Sequence, residues 1–527
     1  MRCAMSMFLV AVVLVGCMGK SGNSSEDPKE KPNIIFIMSD DHAYQAIGSY
    51  GSRINKTPNI DRIAEEGMRF ENSFVTNSIC APSRAVLLTG KYSHMNGHID
   101  NSTEFDGSQV TFPKILQKNG YETAMIGKWH LKSQPTGFDY WNVLPGQGYY
   151  YNPDFIEMGD TVRQEGYVTD LITDVSLNWL KKRKDDQPFL LVLGHKAPHR
   201  NWMPGPDHLN DYNGEEIPLP ETFYDDYQTR SAAAKEQYME IGEVMGPGYD
   251  LKLSEEEGST KIVRQGRWWA QPYKRMNAKQ REVWDAAYQP RNDAFHRQDL
   301  SGKKLEEWKY QRYIKDYLLT IASVDDNVGR VLDYLEEEGL TENTIIVYTS
   351  DQGFYLGEHG WFDKRWMYEQ SLRMPLLMRY DGHIPAGSVT DQFALNLDFA
   401  PTFLDYAGID ITESMQGRSL RPVLENKAPD DWRQSMYYHY YEYPGPHQVK
   451  RHYGIRTDRY KLIHFYYDID AWELYDLKED PNELNNVYDD SAYADVVVEL
   501  KQQLDDLREQ YGDTEEATER YLPKEDK

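Results

Sequence analysis

Asn33-Ile34-Ile35-Phe36-Ile37-Met38-Ser39-Asp40-Asp41 is the stretch on which the reading of the whole chain turns. A short continuous apolar run ending in two carboxylates has the form of a strand covered on both faces of a parallel sheet. Such sheets carry their sites at the carboxyl ends of their strands, so Asp40 and Asp41 are expected at the chemistry rather than in the packing. Downstream, helical patterns precede short apolar runs in a repeating order: 111–118 before 121–126, 170–184 before 189–193, 310–338 before 344–348. A further helical pattern opens at Thr57-Pro58 and runs to about residue 67, with proline suited to the first turn. This alternation predicts an α/β fold, a large mostly parallel mixed sheet flanked by helices.

The pattern changes elsewhere. Residues 204–300 are polar and irregular, with helical patches such as 277–287. They are expected to be either an insertion over the active face or a peripheral surface excursion. Beyond about residue 430 come short strands at 453–456 and 460–465 and a closing helix at 491–510. These predict a smaller C-terminal subdomain of antiparallel sheet plus helix, residues 430–527, after a main catalytic domain at residues 32–429. At the other end, Met1-Arg2 precedes an apolar run over residues 5–15 that is too short to span a bilayer and reads as a signal peptide. Leu14-Val15-Gly16-Cys17 resembles the lipobox of bacterial lipoproteins. That resemblance implies a signal in residues 1–17, a lipidated Cys17, a disordered polar tether over residues 18–31, and an exported lipoprotein, periplasmic or cell-surface. The membrane would then be met through the lipid alone.

A formal net charge of -27 argues against a nucleic-acid binder, which needs a basic face. An anionic substrate would have to be met by a local cluster of cations. With Cys3 removed in the signal and Cys17 at the anchor, only Cys80 remains in the folded body, which leaves no partner for an internal disulfide.

The neighbours of that cysteine are Ser78-Ile79-Cys80-Ala81-Pro82-Ser83-Arg84-Ala85-Val86-Leu87-Leu88-Thr89-Gly90. The pattern starts a helix at Cys80, and free N–H groups with a positive dipole end favour an anion there. The stretch resembles the sulfatase signature, whose core is Cys-x-Pro-Ser-Arg. A second signature is similar to Gly120-Tyr121-Glu122-Thr123-Ala124-Met125-Ile126-Gly127-Lys128-Trp129-His130. A third resembles Ser350-Asp351-Gln352-Gly353 with Leu356-Gly357-Glu358-His359-Gly360 and Lys364. The matches run in family order from Asn33 to Glu473-Leu474-Tyr475-Asp476-Leu477, nearly the whole mature chain.

The resemblance implies an alkaline phosphatase-like fold and hydrolysis of sulfate esters. It implies that a separate maturation enzyme oxidises Cys80 to formylglycine, an aldehyde that hydrates to a geminal diol. One hydroxyl attacks sulfur and the other later expels sulfate by re-forming the aldehyde, a form of covalent catalysis that avoids a stranded sulfated enzyme. Asp40, Asp41, Asp351 and Gln352 form an all-oxygen set to which the group at Cys80 adds. Hard oxygen ligands favour calcium or magnesium over zinc, and the resemblance favours calcium. It further implies that Arg84 holds the diol and that Lys128 and Lys364 grip sulfate oxygens. His130 would act as base, and His199 as the acid protonating the leaving alcohol, with His195 the rival for that role.

Lys196-Ala197-Pro198-His199-Arg200-Asn201-Trp202, Tyr441-Glu442-Tyr443-Pro444 and Arg451-His452-Tyr453-Gly454-Ile455-Arg456 are most similar to N-acetylglucosamine-6-sulfatases. That similarity implies that Asp363, Arg365 and His447 contact the sugar. The bland alternative pairs Asp363 with Arg365 and leaves His447 in a surface loop. An acidic exterior suits a pocket for the sulfated end of a saccharide better than an open groove along a polyanion. Rival readings are a phosphonate monoester hydrolase of the same superfamily, which shares Cys-x-Pro-x-Arg, and a glycan-binding lipoprotein with a dead site. The second predicts lost site residues, and all of them are present.

Overall fold

Asn33–Ser39 runs through the middle of a ten-stranded sheet in the computed structural model, which describes residues 31–264 and 271–523. The expected signal peptide, Cys17 and the tether up to residue 30 lie outside the described residues. All of Asn33–Ser39 is buried, because helices cover both faces of the sheet. Phe189–His195 and Thr344–Ser350 flank it in parallel, and the register sets Ser39 beside both His195 and Ser350. Glu122–Lys128 and then Tyr140–Leu144 continue the parallel set. Antiparallel strands close the sheet on both sides. Leu376–Arg379 pairs with Thr344–Ser350 on one side, and Asp154–Glu157 with Tyr140–Leu144 on the other.

One face is covered by Pro58–Glu65, Val168–Lys182 and Gly302–Glu337, which pack Ile60, Ile172 and Val328 against Ile35, Ile37 and Leu191. The other is covered by Cys80–Thr89, Phe112–Lys118 and Phe399–Tyr406, with Ala85, Phe112 and Phe403 against Ile34, Phe36 and Val192. Alternate residues of the central strand thus serve opposite cores, as the two-residue period of a strand requires. The long helix begins at Gly302, more than two turns before the predicted start at residue 310. Its first turns are exposed or half-buried and offer no apolar stripe to read.

Beyond the main sheet, Ser435–Tyr440, His452–Thr457, Tyr460–Phe465 and Ala471–Asp476 form an antiparallel sheet joined by the helix Ala494–Tyr511. Its core is shared with Phe74, Trp361, Trp366 and Tyr368, so these strands pack directly on the segment that carries Lys364. Described residues within 204–300 pack on the main body. Ile217, Phe223 and Ile241 join a core with Trp202, Tyr313, Phe354 and Phe362. The Phe362 N–H donates to the Met239 carbonyl at 3.0 Å, and the Tyr238 N–H to the His447 carbonyl at 2.7 Å. Among the described residues no helix is long and apolar enough to cross a membrane.

Candidate active site

Parallel register brings four chain segments to one edge of the sheet. Asp40 and Asp41 follow Asn33–Ser39, and Asp351 and Gln352 follow Thr344–Ser350. Lys128 ends Glu122–Lys128, and His195 ends the strand that leads to Lys196 and His199. The two lateral strands nearly touch there: a Cβ on Gly127, at φ 97°, would lie 2.1 Å from the Gly194 carbonyl oxygen. Asp41, His130, Asp363 and Arg365 all have positive φ, at 67°, 60°, 81° and 96°. Non-glycine residues rarely take this conformation, and its concentration here marks a site held by its surroundings.

Cys80 begins the helix Cys80–Thr89 as expected, with no side chain capping it at Ile79. A carboxylate oxygen of Asp40, the Cys80 sulfur and a His199 ring nitrogen lie within 4.8 Å of one another, as do oxygens of Asp40, Asp41 and Asp351. Arg84 reaches Asp351 Oδ2 through Nε at 3.0 Å and Nη2 at 2.8 Å, and donates from Nη1 to the Lys128 carbonyl at 2.7 Å. Lys364 Nζ donates to both oxygens of Asp41, at 2.6 and 2.7 Å. Lys128 Nζ contacts Asp40 Oδ2 and donates to Gln147 Oε1 at 2.6 Å. Three buried carboxylates thus face three buried cations.

This donor set fits a hard divalent cation. Among the described residues neither oxygen of Asp40 receives a hydrogen bond of normal geometry, and Gln352 Oε1 also lacks a donor, although all three atoms are buried. Buried acceptors without donors are rare and call for an ion or water. The oxygen-only chemistry of Asp40, Asp41, Asp351 and Gln352 suits calcium or magnesium. Because the carboxylates and the ammonium and guanidinium groups cancel formally, a divalent ion would leave the site positive and ready for an anionic ester.

Burial raises the Asp41 carboxyl toward about 7 despite Lys364 beside it. Burial opposes the Asp351 charge as well, but Arg84 and Lys128 overcome it and hold that carboxyl below its usual range. Burial pushes the Cys80 thiol up to about 12, so as an unmodified side chain it stays protonated. His130 and His199 are held neutral, by burial first and then by the surrounding cations. The two candidate acids separate on geometry. His199 Nε2 stands 3.8 Å from Asp41 Oδ2, its Nδ1 facing the Arg200 carbonyl at 2.7 Å. His195 is fully buried and neither ring nitrogen finds a partner among the described residues.

Asp363 and Arg365 do pair, Nε to Oδ1 at 3.1 Å, as the bland alternative had it. His447, however, is buried and not a loose loop residue: its Nε2 lies 3.3 Å from Asp363 Oδ2, and its Nδ1 bonds the Tyr238 carbonyl at 2.8 Å. Arg365 also contacts Glu442 through Nη1. These residues gather beside Lys364, whose backbone N–H donates to Asp363 Oδ1 at 2.9 Å.

Sequence reasoning assigned no role to Lys196, Gln147 or Glu442. Lys196 is buried with its ammonium 4.6 Å from the centre of the Tyr150 ring, and Tyr150 in turn donates to the His199 carbonyl at 2.6 Å. Burial lowers the Lys196 ammonium toward about 7, with Asp41 and Cys80 acting against the shift. Its position between His195 and His199, one residue past a buried strand, was the available signal. Gln147 lies in a stretch with no local pattern to flag it, whereas Glu442 lies in the Tyr441-Glu442-Tyr443-Pro444 stretch that was singled out without a role for this residue.

Residues 32–409 match the family model described as sulfatase, and residues 357–510 match that of the N-sulphoglucosamine sulphohydrolase C-terminal region. An N-acetylglucosamine-6-O-sulfatase of Bacteroides thetaiotaomicron is 52% identical over 512 residues, covering 96% of this chain and 91% of that protein. The N-acetylglucosamine-6-sulfatase of Homo sapiens is 27% identical over 462 residues, covering 82% and 71%. A solved structure in complex with its substrate, D-glucosamine-2-N,6-O-disulfate, superimposes with a TM-score of 0.89 at 52% identity, covering 93% of this chain and 99% of that one. The chain therefore belongs to the sulfatase family and is a sulfate-ester hydrolase.

Proposed function

We propose that the chain removes 6-O-sulfate from N-acetylglucosamine or a closely related glucosamine at the end of a host or other sulfated glycan. The observation that carries this reading is the Asp363–Arg365–His447 group beside Lys364, in a chain 52% identical to an N-acetylglucosamine-6-O-sulfatase. A carboxylate, a guanidinium and an imidazole in fixed array suit sugar hydroxyls and an acetamido group better than a plain aryl ring.

Cys80, converted to formylglycine by a maturation enzyme, supplies the nucleophilic hydroxyl. Calcium held by Asp40, Asp41, Asp351 and Gln352 would add positive charge where that hydroxyl meets the sulfate. Arg84, Lys128 and Lys364 neutralise the sulfate oxygens, an electrostatic role that needs buried, preorganised cations. His199 gives a proton to the departing sugar oxygen as the S–O bond breaks. His130 takes the proton of the second hydroxyl when sulfate is expelled. His199, held neutral by burial and by the cations around it, takes up the proton it needs when an anionic ester enters and offsets those cations. The N-terminal Leu14-Val15-Gly16-Cys17 supports export as a lipoprotein anchored through Cys17, facing the periplasm or the cell exterior.

The test is sulfate release from a panel of defined saccharides by matured protein, with phosphate and phosphonate esters alongside. Preference for a terminal 6-O-sulfated N-acetylglucosamine is the expected result. Faster cleavage of another sulfate position, of internal residues, or of the phosphorus esters would overturn it. Peptide mass spectrometry on the fragment containing Cys80 must show the aldehyde or its hydrate in the active protein.

A further inference from the structure

Arg312 and Lys315 lie on the side of the helix Gly302–Glu337 turned away from the catalytic carboxylates. Tyr317 marks the inward side, donating its hydroxyl to the Asp41 carbonyl at 2.8 Å. On the outward side an open cavity of about 250 Å³ is lined by Tyr212, Arg291, Trp308, Arg312, Lys315 and Asp316. None of these residues belongs to the site described above.

The charges in this cavity do not balance. Its carboxylate, Asp316, is already taken by Lys252 Nζ at 2.8 Å and the Tyr288 hydroxyl at 2.6 Å. Arg312 is 8% exposed and uses two N–H groups on the Leu251 carbonyl at 3.3 Å and Asn292 Oδ1 at 3.1 Å. Its other donors have no acceptor among the described residues. Lys315 makes no hydrogen bond or ion pair among them. The guanidinium carbons of Arg291 and Arg312 sit 5.1 and 5.4 Å from the centre of the same Tyr288 ring. Like charges gathered this closely disfavour one another: burial, and after it the neighbouring arginines, lower the Lys315 ammonium, while Glu215 and Glu216 offset this only in part. Burial likewise lowers Arg312, with Arg291 adding to it. A chain of net charge -27 has no general need of such a cluster. Arg291 is fixed through Nη2 by the Leu209 carbonyl, Asn210 Oδ1 at 3.3 Å and Asn213 Oδ1 at 2.8 Å. Beside it, the donors of Arg312 and Lys315 that have no acceptor among the described residues, with the half-buried indole of Trp308, make a receptacle for an anion carried on a small polar ring.

We propose that the Arg291–Arg312–Lys315 cavity is a second oxyanion site, taking a sulfate or carboxylate group away from the reacting centre. The group can be free or borne on a further sugar unit of the substrate; the receiving chemistry is the same.

Crystals of the full chain soaked in selenate, an anomalous scatterer with the shape of sulfate, test the site directly. An anomalous peak within hydrogen-bond distance of Lys315 and Arg312 is expected, and it should vanish in Lys315→Glu. Lys315→Gln, which removes the charge without reversing it, gives the same answer should the glutamate variant fail to fold. No peak in the cavity at saturating selenate, or a peak that persists in both variants, overturns the proposal. Kinetics separate the two sources. If the group belongs to the glycan, either variant raises KM for a sulfated tetrasaccharide about tenfold with little change in kcat. If the oxyanion is free, KM for that saccharide is unmoved while the selenate peak remains in the unaltered chain.

Discussion

Both contacts of Arg84 with Asp351 fall on one oxygen, Oδ2, leaving Oδ1 to receive the Asp41 N–H at 3.1 Å and Gln352 Nε2 at 2.9 Å. The pair ties the first turns of the helix Cys80–Thr89 to the end of the strand Thr344–Ser350, so the nucleophile position and the carboxylates are held as one unit. Removing one partner of a buried pair leaves the other charge uncompensated, at a cost of about 3–5 kcal/mol. Arg84→Ala should therefore lower stability in urea unfolding by that order, and lower kcat by at least about 100-fold. Arg84→Lys restores charge without the fork, so it should recover more of the stability than of the rate. An Arg84→Ala enzyme with normal kcat would remove this residue from the chemistry.

The role of His199 is open to a leaving-group test. An acid matters most where the departing alcohol is weakly acidic. His199→Ala should lower kcat on a sulfated sugar by roughly 10²–10⁴-fold, and much less on an aryl sulfate with an acidic phenol. Equal losses on both substrates would argue for a binding role. His195→Ala, which lacks a polar contact to lose, should leave the ratio between the two substrates unchanged.

The carboxylate cluster predicts dependence on a divalent ion. Chelation should abolish activity and lower the melting temperature, because binding to the folded state alone stabilises it. Calcium should restore both. Asp40→Asn should weaken calcium binding by at least about tenfold, since ligand charge sets affinity at such sites. One bound ion per chain, measured by elemental analysis and lost in Asp40→Asn, is the expected result; full activity in metal-free protein would contradict it.

Specificity should reside in the group around Asp363. His447, Lys364 and Arg365 overcome the effect of burial and hold the Asp363 carboxyl well below its usual range, so it meets the substrate ionised. Arg365→Ala should cut kcat/KM on N-acetylglucosamine-6-sulfate by about 10-fold or more and change that on an aryl sulfate far less. A parallel loss on both would show that Arg365 serves only to position Lys364.

Acid should weaken the fold through the C-terminal sheet. His452 is fully buried against Trp366 and Tyr438, and burial lowers its imidazole toward about 3. The unfolded chain therefore binds a proton that the folded one refuses between the ordinary histidine value and about 3. Its contribution is complete above the ordinary value and is lost progressively as pH falls through that window. Between pH 6.5 and 5 the loss amounts to about 1.5 kcal/mol. His452→Phe should lose less stability than the unaltered chain over that interval in urea titrations.

Much of the molecule was legible in its sequence, and the exceptions have physical causes. The central strands Asn33–Ser39, Phe189–His195 and Thr344–Ser350 read clearly because strands covered on both faces are continuously apolar. The outer strands Leu376–Arg379, Met68–Phe70 and Ser388–Thr390 are too short to show a period. The opening turns of Gly302–Glu337 are exposed or half-buried, and their contacts are made by polar residues such as Lys303, Glu307 and Lys309 with Trp308 as an isolated ring, so they show no apolar period. Lys196 was visible but silent, because one lysine in a loop has no spacing to distinguish a buried cation from an exposed one.

The order of motifs from Asn33 through Cys80, Lys128, Asp351 and Lys364 was sufficient, without coordinates, to assign the family, the reaction and the types of residue that carry it. Local pattern also placed Asp40, Asp41, Lys128 and Asp351 after the ends of strands and Cys80 at the start of a helix, where backbone geometry leaves polar groups free. Tertiary structure alone decided the rest. It showed that His199 and not His195 reaches Cys80 and the carboxylates, that Asp363 meets Arg365, His447 and, through Arg365, Glu442, and that Arg291 joins Arg312 and Lys315 around one cavity. Most of those encounters, such as Asp363 with His447 and Arg365 with Glu442, join residues far apart in the chain. Their geometry follows from sheet register and from how helices pack, and neither leaves a mark in any one stretch of sequence.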